Sequence, residues 1–179
     1  MKHVLLGVCG SVSAYKACDL ASKLTQAGFA VRTVLTENAA RLVSPQLFEA
    51  VSGHPAQVSE WGDERKGAMD HIDLARWADL LVVAPATANF LARAAHGLAE
   101  DLLSTVQLAL EPAKPRLLCP AMNPVMLAAP AVQRNLAQLL ADGWLLQEPG
   151  AGHMACGEAG RGRLAEPAEI LDRVRELLG

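Results

Sequence analysis

Aromatic residues are scarce in this chain of 179 residues: three Trp, three Phe and one Tyr, 4% in all. A core of stacked rings is thereby excluded. Because hydrophobic residues still make up 51% of the sequence, the interior must be built from Ala, Leu and Val. No run of about 18 apolar residues is available to span a bilayer, so the apolar surplus is expected to cover contacts between copies of the chain, and a homo-oligomer follows. Cys9, Cys18, Cys119 and Cys156 are scattered with no CxxC pair, and only Lys2 precedes the first apolar run. Neither a disulfide framework nor a signal peptide fits that pattern, which points to a reduced, cytoplasmic chain. The histidines lack i,i+4 or HxH spacing, so no metal site is expected. With a net charge of -3 and no basic stripe interleaved with aromatics, nucleic acid is not the partner either. A small molecule remains. The length suits one domain over residues 1–179 with a full hydrophobic core.

What is present is organised around Leu80-Leu81-Val82-Val83-Ala84-Pro85-Ala86-Thr87-Ala88-Asn89. Five apolar residues without alternation describe a strand buried on both faces, and Pro85 is expected to stop its ladder. The loop that follows offers backbone amides, the Thr87 hydroxyl and the Asn89 amide. In an open α/β sheet, ligands sit beyond the carboxyl ends of the strands. Two other apolar runs end in the same manner, at Gly10-Ser11 and at Pro120-Ala121-Met122-Asn123, and all three ends are expected to meet at one site.

The first of these runs, Val4 to Val8, leads through Gly10 into a helix with Ala14, Ala17, Cys18, Ala21 and Leu24 on one face, closed by Gly28. Such a turn suits an ordinary strand-to-helix junction or an anion held by a helix N-terminus. The spacing is not GxGxxG, so a mononucleotide phosphate fits better than a dinucleotide. A second strand, Ala30 to Leu35, delivers Thr36, which can cap the next short helix and face the ligand crevice. Glu37 suits helix-start chemistry better than a ribose. A helix from Pro45 to Gly53 precedes a charged, glycine-punctuated loop over 60–67. His71 opens the packed turn before the central strand, as a cap, a surface residue or a ligand-facing group. Helices are expected over 90–95 and from Leu98 to Leu110, a strand over 116–119, a rigid loop at 120–126, a helix over 130–142 and a short strand at 144–146. The glycine-rich stretch within 147–165 reads as a substrate-covering flap, mobile when empty, that presents Cys156, Arg161 and Arg163. An amphipathic helix over 167–178 ends the chain. Strands alternating with helices in this way imply an α/β, Rossmann-like (flavodoxin-like) three-layer fold with a mostly parallel, doubly wound sheet.

Several motifs fall in one order: Gly10-Ser11, His71-Ile72 before Trp77-Ala78-Asp79, Ala84 to Asn89, Pro120-Ala121-Met122-Asn123 with Met126, and Ala155-Cys156-Gly157. Together they resemble the flavin-containing cysteine decarboxylases, in the branch that serves coenzyme A synthesis, over Val4 to about Leu164. The resemblance implies FMN at a subunit interface of a trimer or an assembly of trimers, with 4'-phosphopantothenoylcysteine as substrate. It implies cofactor contacts from Gly10, Ser11, Thr36, Ala86, Thr87, Ala88, Asn89 and Val125. It makes His71 the catalytic base, Cys156 the proton donor that completes reduction, and Asn123 the ligand of the substrate carboxylate or amide, with Met126, Arg161 and Arg163 beside it. A phosphopantothenate–cysteine ligase, fused or separate, would supply the substrate. Leu127 departs from the aromatic residue usual after Met126, which is expected to loosen packing beneath the flavin. Peptidyl-cysteine decarboxylases share the flavin loop and the Met-Asn motif but stop at the enethiol. Flavin prenyltransferases and phosphatase-binding regulatory subunits are further alternatives. The Cys156 flap argues against the prenyltransferase, and the want of long acidic extensions argues against the regulatory subunit.

Overall fold

The computed structural model describes residues 1–61, 69–153 and 159–179. Six strands form one sheet: β1 (His3–Val8), β2 (Ala30–Leu35), β3 (Ala56–Gln57), β4 (Leu80–Ala86), β5 (Arg116–Pro120) and β6 (Leu145–Leu146). Their order is β3-β2-β1-β4-β5-β6, and every pairing is parallel. Strand order therefore reverses between β1 and β4, the point at which a doubly wound sheet opens a crevice. All seven residues of β4 are buried, in keeping with its unbroken apolar run.

Two helical layers cover the sheet. On one face α1 (Ala14–Gln26), α3 (Pro45–Ser52) and α9 (Pro167–Leu178) bury Leu20, Leu24, Phe48 and Ile170 against Leu6 and Val8. The opposite face carries α4 (Asp70–Trp77), α5 (Ala88–His96), α6 (Leu102–Ala109) and α8 (Pro130–Ala141), with Leu91, Leu103, Leu139 and Trp144 over Leu81 and Val83. Each such leucine contributes about 1.5–3 kcal/mol by leaving water. On α1 the inward face is Ala14, Ala17, Leu20, Ala21 and Leu24, while Cys18 is only partly buried.

Three expectations need correction. Pro85 does not stop the central strand, because proline lacks only a donor. Its carbonyl still accepts from the Cys9 N–H at 3.1 Å, and the ladder resumes at Ala86 opposite Pro120 after a register shift. The helix expected from Leu98 begins at Leu102 instead. Asp101 caps it by accepting from the Ser104 N–H at 2.7 Å, and Leu98 is left exposed. The loop expected at 120–126 contains a short helix, α7 (Pro124–Ala128), whose N-cap is Asn123. Proline at the first helical position explains why a proline-rich stretch can begin a helix.

Within the glycine-rich stretch, β7 (Gly150–His153) pairs antiparallel with β8 (Ala159–Arg163). The base of this hairpin is docked on the loop after β5. The Met122 N–H donates to the Gly162 carbonyl at 3.0 Å, and Gly160 lies against the Pro124 ring. Gly152, at φ +143°, leaves room for the Arg163 guanidinium, which would lie 2.8 Å from any Cβ placed there.

Candidate active site

At the reversal point the ends of three strands are tied together by backbone bonds. Besides Cys9 to Pro85, the Thr36 N–H donates to the Val8 carbonyl at 2.9 Å and the Ala121 N–H to the Ala86 carbonyl at 3.1 Å. Above these ties opens a cleft of about 550 Å³, a volume suited to a cofactor or small substrate. Its wall brings together Gly10-Ser11, Thr36, Thr87 to Asn89, and Met122 with Met126, so the three loops do converge.

Local capping explains why these segments stand where they do. Thr36 accepts from the Ala39 N–H and so starts α2 (Glu37–Ala40), and Thr87 accepts from the Phe90 N–H and starts α5, each at 3.3 Å. The Ser13 side chain makes no capping hydrogen bond to α1 among the described residues. The positive end of that helix, beside the Ser11 hydroxyl, therefore favours an anion. Gly10 is held so close to α2 that a Cβ would meet the Asn38 Cβ at 2.5 Å. Replacing Gly10 with Ala is expected to lower stability by about 1–3 kcal/mol through overpacking, read by thermal unfolding of the apoprotein. Unchanged stability would mean that the turn can open.

Charge in the cleft is concentrated on one wall. Arg93 pairs with Asp101 at 2.7 Å and with Glu100 at 3.1 Å, and all three residues line the cleft. Asp101 thus caps α6 with one carboxylate oxygen and holds Arg93 with the other. Beneath the cleft the Cys9 thiol is pushed up to about 12, chiefly by burial and partly opposed by hydrogen bonding with Thr87. Burial alone drives the Cys119 thiol up still further, and at Cys18 burial, then Asp19, raises it more gently. These three cysteines are free. In a protein carrying Cys156→Ser, iodoacetamide at pH 8 should therefore label Cys18 alone before unfolding, counted by mass spectrometry. Rapid labelling of Cys9 would show that the cleft floor opens.

The other sequence-expected residues sit apart from this wall. Ala86 is fully buried below the cleft, and Val125 is exposed on α7. Asn123 turns its side-chain oxygen to the N–H groups of Val125, at 2.8 Å, and Met126. Arg161 on β8 pairs with Glu148, while Arg163 approaches Glu166 at 3.5 Å. His71 lies in the first turn of α4. Since α4 runs antiparallel to the β4 that follows it, this is the cleft end of the sheet, yet His71 does not line the cleft of its own chain. Leu127 packs at the edge of the Trp144 core, and Cys156 lies outside the described residues. Sequence reasoning missed Arg93 as a lining group. Its position four residues after Asn89, one helical turn along the same face, was the available signal.

Comparison with known proteins adds three findings. A family model described as Flavoprotein matches residues 1–179. The coenzyme A biosynthesis bifunctional protein CoaBC of Bacillus subtilis (strain 168) is 46% identical over 170 residues, 95% of this chain but 41% of that protein. The chain thus spans about two fifths of the length of this curated relative. Among solved structures, a mutant PPC decarboxylase complexed with pantothenoylaminoethenethiol aligns with a TM-score of 0.87 at 33% identity, covering 99% of this chain and 98% of that one. The FMN-dependent cysteine decarboxylase SpaF aligns at 0.83 and 39% identity, covering 100% and 98%.

Proposed function

This chain belongs to the flavoprotein family, and from that premise we propose that it decarboxylates 4'-phosphopantothenoylcysteine to 4'-phosphopantetheine in coenzyme A biosynthesis, with FMN as cofactor. The observation that carries the reading is the cleft at the β1/β4 reversal, where the three loop motifs meet. Its chemistry fits FMN. Ser11 and the uncapped start of α1 suit the phosphate, and Ala88, Met122 and Met126 supply apolar wall for a ring system. Gly10, Thr36, Ala86, Thr87, Asn89 and Val125 complete the proposed cofactor set.

When bound, FMN would supply a reversible two-electron sink for the thiol-bearing carbon of the substrate, the electron demand that loss of CO2 from an N-acyl cysteine otherwise lacks. This chain's own residues handle protons and position. His71 accepts the proton of the substrate thiol. Asn123 donates from its amide to the substrate carboxylate, an orientation consistent with the side-chain oxygen already turned to α7. Met126 borders the reacting end, and Arg161 and Arg163 attract the substrate phosphate. Cys156 protonates the enethiolate as it is reduced.

A second copy of the chain is part of the proposal. Val12, Tyr15, Leu42, Leu47, Val125 and Met126 expose apolar surface on α1, α3, α7 and the adjoining loops, more than a monomer has use for. A neighbour seated there, in a trimer or an assembly of trimers, would bring its own His71 to a cleft that this chain's His71 does not line. The substrate would come from a phosphopantothenate–cysteine ligase, on the same chain or a separate one, in the cytoplasm. Among the described residues no helix is long and apolar enough to cross a membrane, and no cluster of side chains is suited to a metal.

A peptidyl-cysteine substrate is the second reading, since the flavin loop over Ala84 to Asn89 and the Met122-Asn123 pair serve that branch equally. Turnover separates the two. The purified protein should be yellow and should release CO2 from 4'-phosphopantothenoylcysteine with phosphopantetheine as product. Turnover only of a peptide with a C-terminal cysteine would select the alternative, and a protein that binds no flavin would reject both.

A further inference from the structure

The residue that faces His71 was not marked by any motif. Glu60 falls in the loop after β3, and its Oε2 lies 2.7 Å from His71 Nδ1. Both side chains are mostly covered, at 25% exposed for His71 and 20% for Glu60, so this is not a solvated surface pair of little consequence. Asp70, the residue before His71 on α4, is buried with an Oδ2 that makes no hydrogen bond among the described residues.

The geometry points to Glu60 as a positioning residue for His71. A carboxylate can only accept, so the Nδ1 of a neutral imidazole must carry the proton that Glu60 receives. That leaves the Nε2 lone pair as the atom able to take a proton from substrate, and the ring cannot turn without breaking the bond. Glu60 therefore fixes both the tautomer and the aim of the base, the service that an oriented carboxylate gives a catalytic histidine on unrelated folds. This inference rests on the reading of His71 as the base.

The test uses FMN-loaded, assembled protein with 15N-labelled histidine. In the wild type, His71 should give a protonated Nδ1 and an unprotonated Nε2 near pH 8, its signals identified by their loss in His71→Asn. Glu60→Leu should move the proton to Nε2 in part or whole and lower kcat about 10- to 100-fold, the range for outer groups that orient a functional histidine, with little change in KM. Glu60→Gln, whose amide oxygen can accept the same bond, should keep the wild-type tautomer and recover much of the rate. Unchanged His71 nitrogen signals in Glu60→Leu would overturn the inference, as would wild-type kcat in that variant beside a His71→Asn protein that has lost turnover. Full turnover by His71→Asn would instead remove the reading beneath it.

Discussion

Replacing His71 with Ala should lower kcat about 100- to 10,000-fold, the span expected when a positioned general base is removed. Bound FMN should be retained, because His71 is no part of the wall where the three loops meet. A sharper result is expected from mixing. Let one population carry His71→Ala and another Asn123→Asp, each inactive alone. If the base reaches the cleft of an adjoining copy, random co-assembly should restore about a quarter of the sites, those that pair an intact cleft with an intact histidine from its neighbour. Measuring turnover after joint refolding checks this. Mixed protein as inactive as its parents would confine His71 to its own chain, and the proposed interface site would have to be redrawn.

The second large effect is expected at Cys156. With Cys156→Ser, CO2 should still be released, since the carboxylate departs before any proton donor is needed at the carbon it leaves. The product should then be the enethiol, two hydrogens lighter than phosphopantetheine, and phosphopantetheine itself should fall below detection. Mass spectrometry of an anaerobic single-turnover mixture reads both. Equal yields of phosphopantetheine from wild type and variant would take Cys156 out of the mechanism. A wild type that itself stops at the enethiol would favour the peptide-directed alternative.

Much of the fold was legible because these elements declare themselves locally. The β2 strand at Ala30–Leu35 and the α9 helix at Pro167–Leu178 lie where apolar runs and helical period place them. Boundaries failed where one side chain outweighed periodicity. Asp101 moved the start of α6 past Leu98, and Asn123 with Pro124 opened a helix inside a loop. At the cleft, loop motifs were readable because small residues and glycines at strand ends have a backbone reason to be there. The Arg93–Asp101 pair was not, since an arginine amid helical alanines looks like any solvated residue until α6 is folded against it. Glu60 was illegible for a similar reason. A carboxylate eleven positions before His71 acquires meaning only when the loop brings it back to the ring.

The attachment of the hairpin to the loop after β5 bears on how this family could be re-engineered. Gly162 holds Met122, and Gly160 rests on the ring of the residue after Asn123. A chimera that imports the segment 150–163 from a relative would thus graft half of a two-part joint. Such swaps should succeed only when residues 121–124 travel with it, so that both sides of the seam come from one parent.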